Sequence, residues 1–255
     1  MVYLLYLAGF LPSLIWLLFY LRKDKHPESN TMVIKVFFAG MLSAIFALIV
    51  ELIFQEILNI AATHKGLSAI FSIFPGPAFV QLYGATIGAT LMIFIGGALV
   101  EEYAKYLAVK KTALKSSELD EPHDLVLYMI IAALGFAALE NILVLTNIHP
   151  LLTANTALSS MAWRFVSATF LHALCSGTLG YFLAMHLCNI HKSKKFIILG
   201  LIISASLHGV YNWFIMKSND WGRVVVPLFI LIVLSCFVSY SFNKLKKIKS
   251  VCKIK

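Results

Sequence analysis

The pentapeptide Glu101-Glu102-Tyr103-Ala104-Lys105 interrupts one of the longest apolar stretches of the sequence: the seventeen residues from Gly84 to Val100 carry no charge, and Tyr106 to Val109 resume the apolar run. An Asp, Lys or Arg at the centre of a membrane helix costs about 2.5–3.5 kcal/mol on insertion scales, so charges in such a run mark a use. Glu101 and Lys105 share a helix face, whereas Glu102 points about 100° away, which aims the two carboxylates at different neighbours. Three more ionisable groups fall well inside other apolar runs: Glu140, His172 and His208. Ser176 follows His172 by four residues and Asn212 follows His208 by four, so each pair projects from one helix face.

Glutamate plus histidine without an evident nucleophile suits hydrolysis by an activated water. A carboxylate held away from bulk solvent can take a proton from water and return it to the leaving amine. His and Asn side chains can stabilise the oxyanion that forms between those steps. The same residues also suit a catalytic zinc site, His172 and His208 with Glu101 or Glu140, leaving one coordination position open. Spacing leaves both chemistries open. The chain has no HExxH, GxSG or GxGD motif, which removes the other intramembrane protease designs. A single intramembrane histidine commonly serves only as a hydrogen-bond bridge between helices, but two histidines and three glutamates on four consecutive spans point to a shared polar site.

The elements that must position these groups are membrane helices. Of 255 residues 60% are hydrophobic and 13% charged, which excludes an ordinary soluble core. Apolar runs predict seven spans, at 2–21, 33–54, 79–109, 125–147, 160–187, 196–216 and 222–243. Seventeen of the 21 Lys and Arg residues fall in one set of loops and tails; Lys65, Arg164, Lys217 and Arg223 make up the other. The positive-inside rule then puts the N-terminus outside and the C-terminus in the cytoplasm. The net charge of +9 is accounted for by these short clusters, with no nucleic-acid role implied. Residues 2–21 lack a basic leader and a small-residue cleavage site, so they read as a retained span. Cys175, Cys188, Cys236 and Cys252 form no CxxC pair and suggest neither a disulfide framework nor a thiolate zinc site.

The third run is about 31 residues, longer than a bilayer requires, and is expected to tilt, kink or project. Gly84, Gly88, Gly96 and Gly97 in it, and Ser176, Gly177 and Gly180 in the fifth, read as sites of close helix packing. The loop 57–78, with Pro75-Gly76-Pro77, reads as a connector, and Glu51 as an interfacial residue near the outer end of the second span. Depth presents a difficulty. Glu101 lies roughly 12 Å from the cytoplasmic end of its span and Glu140 roughly 24 Å from the start of the fourth, so a tight cluster requires one of the two helices to shift along its axis.

Four stretches, EEYAK at 101–105, GFAALEN at 135–141, HALCSG from His172 and HGVYN at 208–212, resemble in order the motifs of the PrsW family of membrane-embedded proteases. That family is related to the CAAX prenyl endopeptidase and bacteriocin-immunity proteins and to the Aph-1 subunit of gamma-secretase. Asp24-Lys25-His26-Pro27-Glu28 resembles the acidic, proline-containing segment after the first span, although Ser29 replaces a common Pro and Leu125 a common Gly. Glu140 stands where the CAAX-type relatives have His, which favours the PrsW branch.

The resemblance implies an all-α polytopic membrane bundle, one integral membrane protease-like domain over 1–255, in a prokaryotic plasma membrane. It implies an intramembrane endopeptidase with Glu101, Glu102, Glu140, His172, His208 and Asn212 in the active site and Lys105 supporting. The implied substrate is a single-pass membrane protein, in some bacteria an anti-sigma factor, and the mechanism either glutamate-based or zinc-dependent. Glu101 is then the expected base, with Glu102 as its partner or a ligand to the same water. His172 and His208 would position water or metal, Asn212 would serve the oxyanion, and Glu140 would orient a histidine. The alternative is a non-catalytic, Aph-1-like scaffold subunit using the same residues as interhelical bonds; a transporter lacks the paired broken helices that would support it.

Overall fold

The computed structural model describes residues 7–23, 27–63, 86–147, 153–188 and 193–248. Eight helices follow in order: α1 Ala8–Leu21, α2 Asn30–Thr63, α3 Thr86–Thr112, α4 Asp124–Asn147, α5 Ala154–Val166, α6 Ala168–Cys188, α7 Lys195–Lys217 and α8 Gly222–Leu245. No strand occurs among the described residues. Six stretches are long and apolar enough to cross a membrane, with α5 and α6 together forming one of them, and the chain is a multi-pass helical membrane protein. The first of the seven expected spans is seen only as the shorter α1. Residues 2–6, Asp24-Lys25-His26, Gly84, Cys252 and the connector with Pro75-Gly76-Pro77 lie outside the described residues.

Local chemistry sets the helix boundaries. Pro12 sits in the first turn of the α-helical part of α1, where its missing N–H costs nothing. Ser29 begins α2 by accepting the Met32 N–H at 3.1 Å, as an N-cap does, and donates to Glu118 at 2.6 Å. The serine that departs from the family's proline thus ties α2 to the loop after α3. Thr153 and Thr156 form a capping box at α5. The expected fifth span breaks at Ser167, whose φ and ψ of −118° and −96° are not helical.

The bundle is built around α4 and α6. Every residue of α4 from Leu125 to Leu134 is buried, and α6 is buried almost all round, as suits helices without a solvent or lipid face. The other helices wrap this pair, with α2 on α4 and α7 and α8 on α6. α2 and α4 approach each other closely. A Cβ at Gly40 would lie 2.0 Å from the Ala132 carbonyl oxygen, and one at Gly135 1.9 Å from that of Phe37, so each helix puts a glycine against the other's backbone. A Cβ at Gly180 would lie 2.7 Å from the Leu125 carbonyl oxygen, the expected packing role, whereas one at Gly88 would meet nothing within 4 Å among the described residues. Gly135→Ala is expected to destabilise the protein by about 1–3 kcal/mol through overpacking, read as a lower unfolding temperature in detergent; an unchanged temperature would mean that α2 moves aside freely.

α3 changes its helical type along its length. Met92–Leu99 is π-helical and gives way to regular α-helix at Val100, one residue before the paired carboxylates. Such wider turns commonly stand at functional sites, because they re-aim the side chains that follow.

Candidate active site

The α3 carboxylates meet α6 and α7 at the middle of the bundle, and the two have different surroundings. Glu102 is fully buried and saturated. Its Oε1 accepts from the Lys105 ammonium at 2.8 Å and from His208 Nδ1 at 3.0 Å, and its Oε2 from the Ser176 hydroxyl at 2.7 Å. Glu101 keeps a side-chain exposure of 14%, and its Oε2 has no hydrogen-bond partner. That oxygen stands 3.5 Å from Lys105 Nζ, 3.7 Å from His172 Nδ1 and 3.8 Å from His208 Nε2. The expected divergence of the two glutamates holds only in part, since Lys105 is three residues from one and four from the other and reaches both.

The two histidines are placed by carboxylates on different helices. His172 Nε2 lies 2.7 Å from Glu140 Oε2, and the ring's Nδ1 is 2.8 Å from Lys105 Nζ. An ammonium can only donate, so Nδ1 accepts and Nε2 carries the proton given to Glu140. His208 has the opposite tautomer, because its Nδ1 donates to Glu102 and leaves the Nε2 lone pair facing Glu101. The rings stand edge to face, 4.9 Å between centroids. Lys105 is wholly buried and sits 4.3 Å above the Phe136 ring, a cation–π contact that adds to its ion pairs.

The axial mismatch between Glu101 and Glu140 is resolved without a tight carboxylate cluster. α3 continues to Thr112, which puts Glu101 roughly 16 Å from its end, and the His172 ring spans the rest of the gap. Glu140 also pairs with Arg164 at 3.0 Å. Arg164, counted from the sequence only as one of four basic residues on the outer side, donates through Nε to Asn141, which in turn donates to the Gly9 carbonyl and to Thr169, each at 3.2 Å. The sequence did hold a signal for this pair: Glu140 and Arg164 are the only Asp, Glu, Lys or Arg between 125 and 187. Glu51, read as interfacial, is half-buried and lies within electrostatic reach of Glu101, Glu140 and Lys105.

A cavity of about 300 Å³ opens onto this site, lined by Glu101, Glu140, His172, His208 and Asn212, with Arg164, Ser160, Ser167 and Tyr211 as further polar walls and Trp163, Leu171 and Ile215 as apolar ones. Glu102 and Lys105 do not line it. Of the expected site residues, five therefore face one space and two support it from behind.

Glu101, His172 and His208 also form a group whose ligand atoms all lie within 4.8 Å of one another and could hold a metal ion. The donor set fits such an ion in three respects. Two imidazoles and one carboxylate are a catalytic zinc set. Each histidine has its other ring nitrogen tied to a carboxylate, the usual orientation of a metal-binding imidazole. Three glutamates here face two cations, Lys105 and Arg164, so one negative charge is uncompensated, and the partnerless oxygen belongs to Glu101.

Comparison with known proteins identifies the family. A family described as "PrsW family intramembrane metalloprotease" matches residues 28–240. The curated "Protease PrsW" of Geobacillus kaustophilus is 32% identical over 51% of this chain and 54% of its own length. Those of Clostridioides difficile and Bacillus subtilis are 24% and 22% identical over 90% and 96% of this chain and 86% and 95% of their own. No solved structure matches the chain. The peptidase reading therefore stands over the scaffold reading, and the chain belongs to the PrsW family of intramembrane metalloproteases.

Proposed function

We propose that this endopeptidase cuts a single-pass membrane protein, in the manner of anti-sigma-factor processing, at the cavity bounded by α3, α4, α5, α6 and α7. The partnerless Glu101 Oε2, aimed between His172 Nδ1 and His208 Nε2, carries the reading. Glu101, His172 and His208 would hold one zinc ion, which when bound supplies Lewis acidity and an ionisable water. Glu102 and Glu140 fix the two tautomers so that the His208 Nε2 lone pair faces Glu101 and the His172 Nδ1 lone pair is held by the Lys105 ammonium, which a zinc ion would displace. Asn212 and Arg164 present N–H donors on the cavity wall, suited to the scissile carbonyl as charge builds on its oxygen. The apolar walls Trp163, Leu171 and Ile215 seat a substrate segment and limit water. The lysine-rich helix ends face the cytoplasm of a prokaryotic plasma membrane.

A second reading rests on Lys105. Its ammonium, 2.8 Å from His172 Nδ1 and 3.5 Å from Glu101 Oε2, already supplies a cation to the cradle, so Glu101 could act alone as the base on water. Metal content of the detergent-purified, active protein separates the two. One zinc per chain, lost in His172→Ala/His208→Ala, is expected; an active preparation without metal would reject the zinc reading and leave the carboxylate one.

A further inference from the structure

α1 and α8 meet at one end of the bundle and then part. Tyr20 stacks on Phe242 with centroids 6.4 Å apart, and the Lys246 ammonium donates to the Lys23 carbonyl oxygen at 2.5 Å. Farther along, α1 packs chiefly on α4 and α5 rather than on α8. The gap is a groove of about 360 Å³ floored by Phe170 and Leu174 of α6. Its α1 wall is aromatic, with Trp16 stacked on Phe170 at 4.2 Å between centroids. Its α8 wall carries a polar line beside Val238 and Phe242: Ser235, Ser239 and Asn243 line the groove at i, i+4 and i+8; the last two are exposed, while the Ser235 hydroxyl donates to the Leu231 carbonyl oxygen.

A groove filled only by lipid tails gains nothing from a line of hydroxyl and amide groups on one wall. Lys23 and Lys246 stand at its mouth, the Lys23 ammonium 4.7 Å above the Phe19 ring. The three features match the three parts of one molecule. An acyl chain fits the aromatic wall, glycerol and ester oxygens fit Ser239 and Asn243, and a phosphate fits between two ammonium groups. Basic pockets between membrane helices are known binders of anionic headgroups.

We propose that this groove binds one anionic glycerophospholipid. It shares no lining residue with the cavity at Glu101, although Phe170 and Leu174 flank Leu171 and His172 on α6, so a bound lipid would buttress the helix that carries His172. The proposal stands independently of which chemistry the active site uses.

Each lysine near a headgroup contributes about fivefold in affinity, so the pair should favour phosphatidylglycerol over phosphatidylcholine by about 30-fold. The full chain is delipidated in detergent, offered an equal mixture of the two lipids and examined by native mass spectrometry. One retained phosphatidylglycerol per chain is expected, with the preference falling to near parity in Lys23→Gln/Lys246→Gln and surviving in Lys110→Gln/Lys111→Gln at the end of α3. No preference in the parent, a preference unaffected by Lys23→Gln/Lys246→Gln, or equal loss in both double variants would overturn the proposal. So would displacement of the lipid by inorganic phosphate, since that would mean a site for the headgroup alone. Should Lys23→Gln/Lys246→Gln unfold in neutral lipid, Ser239→Leu/Asn243→Leu replaces it: this variant keeps both charges and is expected to lose the retained lipid, and retention at the parental level would reject the groove.

Discussion

Glu101→Gln is expected to lower substrate cleavage by about 10²–10⁴-fold while leaving the fold intact, because it removes a general base or charged ligand without changing side-chain size. Its Oε2 makes no hydrogen bond, so amide substitution breaks none, and the side chain borders a cavity that can accommodate new polar contacts. The loss of negative charge also relieves a cluster in which carboxylates outnumber cations. Cleavage of a membrane-protein substrate in proteoliposomes and the unfolding temperature, measured on one preparation, provide the check. A well-folded Glu101→Gln protein cutting at the parental rate would remove Glu101 from the chemistry and transfer attention to Glu140, the other carboxylate lining the cavity.

Lys105→Met should act in the opposite way, through the fold. The ammonium is fully buried and joins Glu102, Glu101 and His172 at 2.8, 3.5 and 2.8 Å. Removing one partner from a buried ion pair typically costs about 3–5 kcal/mol, because the remaining charge stays desolvated without its counter-ion. Here Glu102 would keep Ser176 and His208, while His172 would lose the bond that holds its Nδ1. Met fills the same volume and keeps contact with Phe136, so the effect reads charge rather than packing. Thermal unfolding in detergent should show a large downward shift, and cleavage should fall along with the folded fraction. An unshifted unfolding temperature with lost activity would instead make Lys105 part of the reaction. The pair of variants thus separates two adjacent glutamates that look alike in sequence: the one that Lys105 seals within the bundle, and the one left open to the cavity.

Much of the site was legible because membrane insertion makes charge conspicuous. Glu101, Glu102, Lys105, Glu140, His172 and His208 stand out from apolar surroundings, and their four motifs in order carry the family resemblance. Helical periodicity correctly put His172 and Ser176 on one face, and both reach the first motif. The orientation rule treated Arg164 only as a topological charge, since counting basic residues assigns sides of the membrane but not partners. The glycines of close contact were legible in part: a Cβ at Gly96, Gly177 or Gly180 would crowd a neighbouring helix as expected. A Cβ at Gly88 would meet nothing among the described residues, whereas Gly40 and Gly135, unremarkable by spacing, bring α2 against α4.

The sequence by itself determined a helical multi-pass membrane protein, the approximate positions of its long spans, and the residue types available for hydrolysis. Those follow from hydrophobic length and from the cost of placing charge in lipid, which act on each segment separately. Only the tertiary structure decided which carboxylate is sealed and which is free, that Glu140 reaches the site through the His172 ring, and that Arg164 and Asn141 stand behind it. Spacing along a helix fixes a side chain's angle about its own axis and its depth along it. The neighbour it meets depends on how the helices rotate and slide when they pack, and that is set by contacts between distant segments, such as Gly135 against the Phe37 backbone.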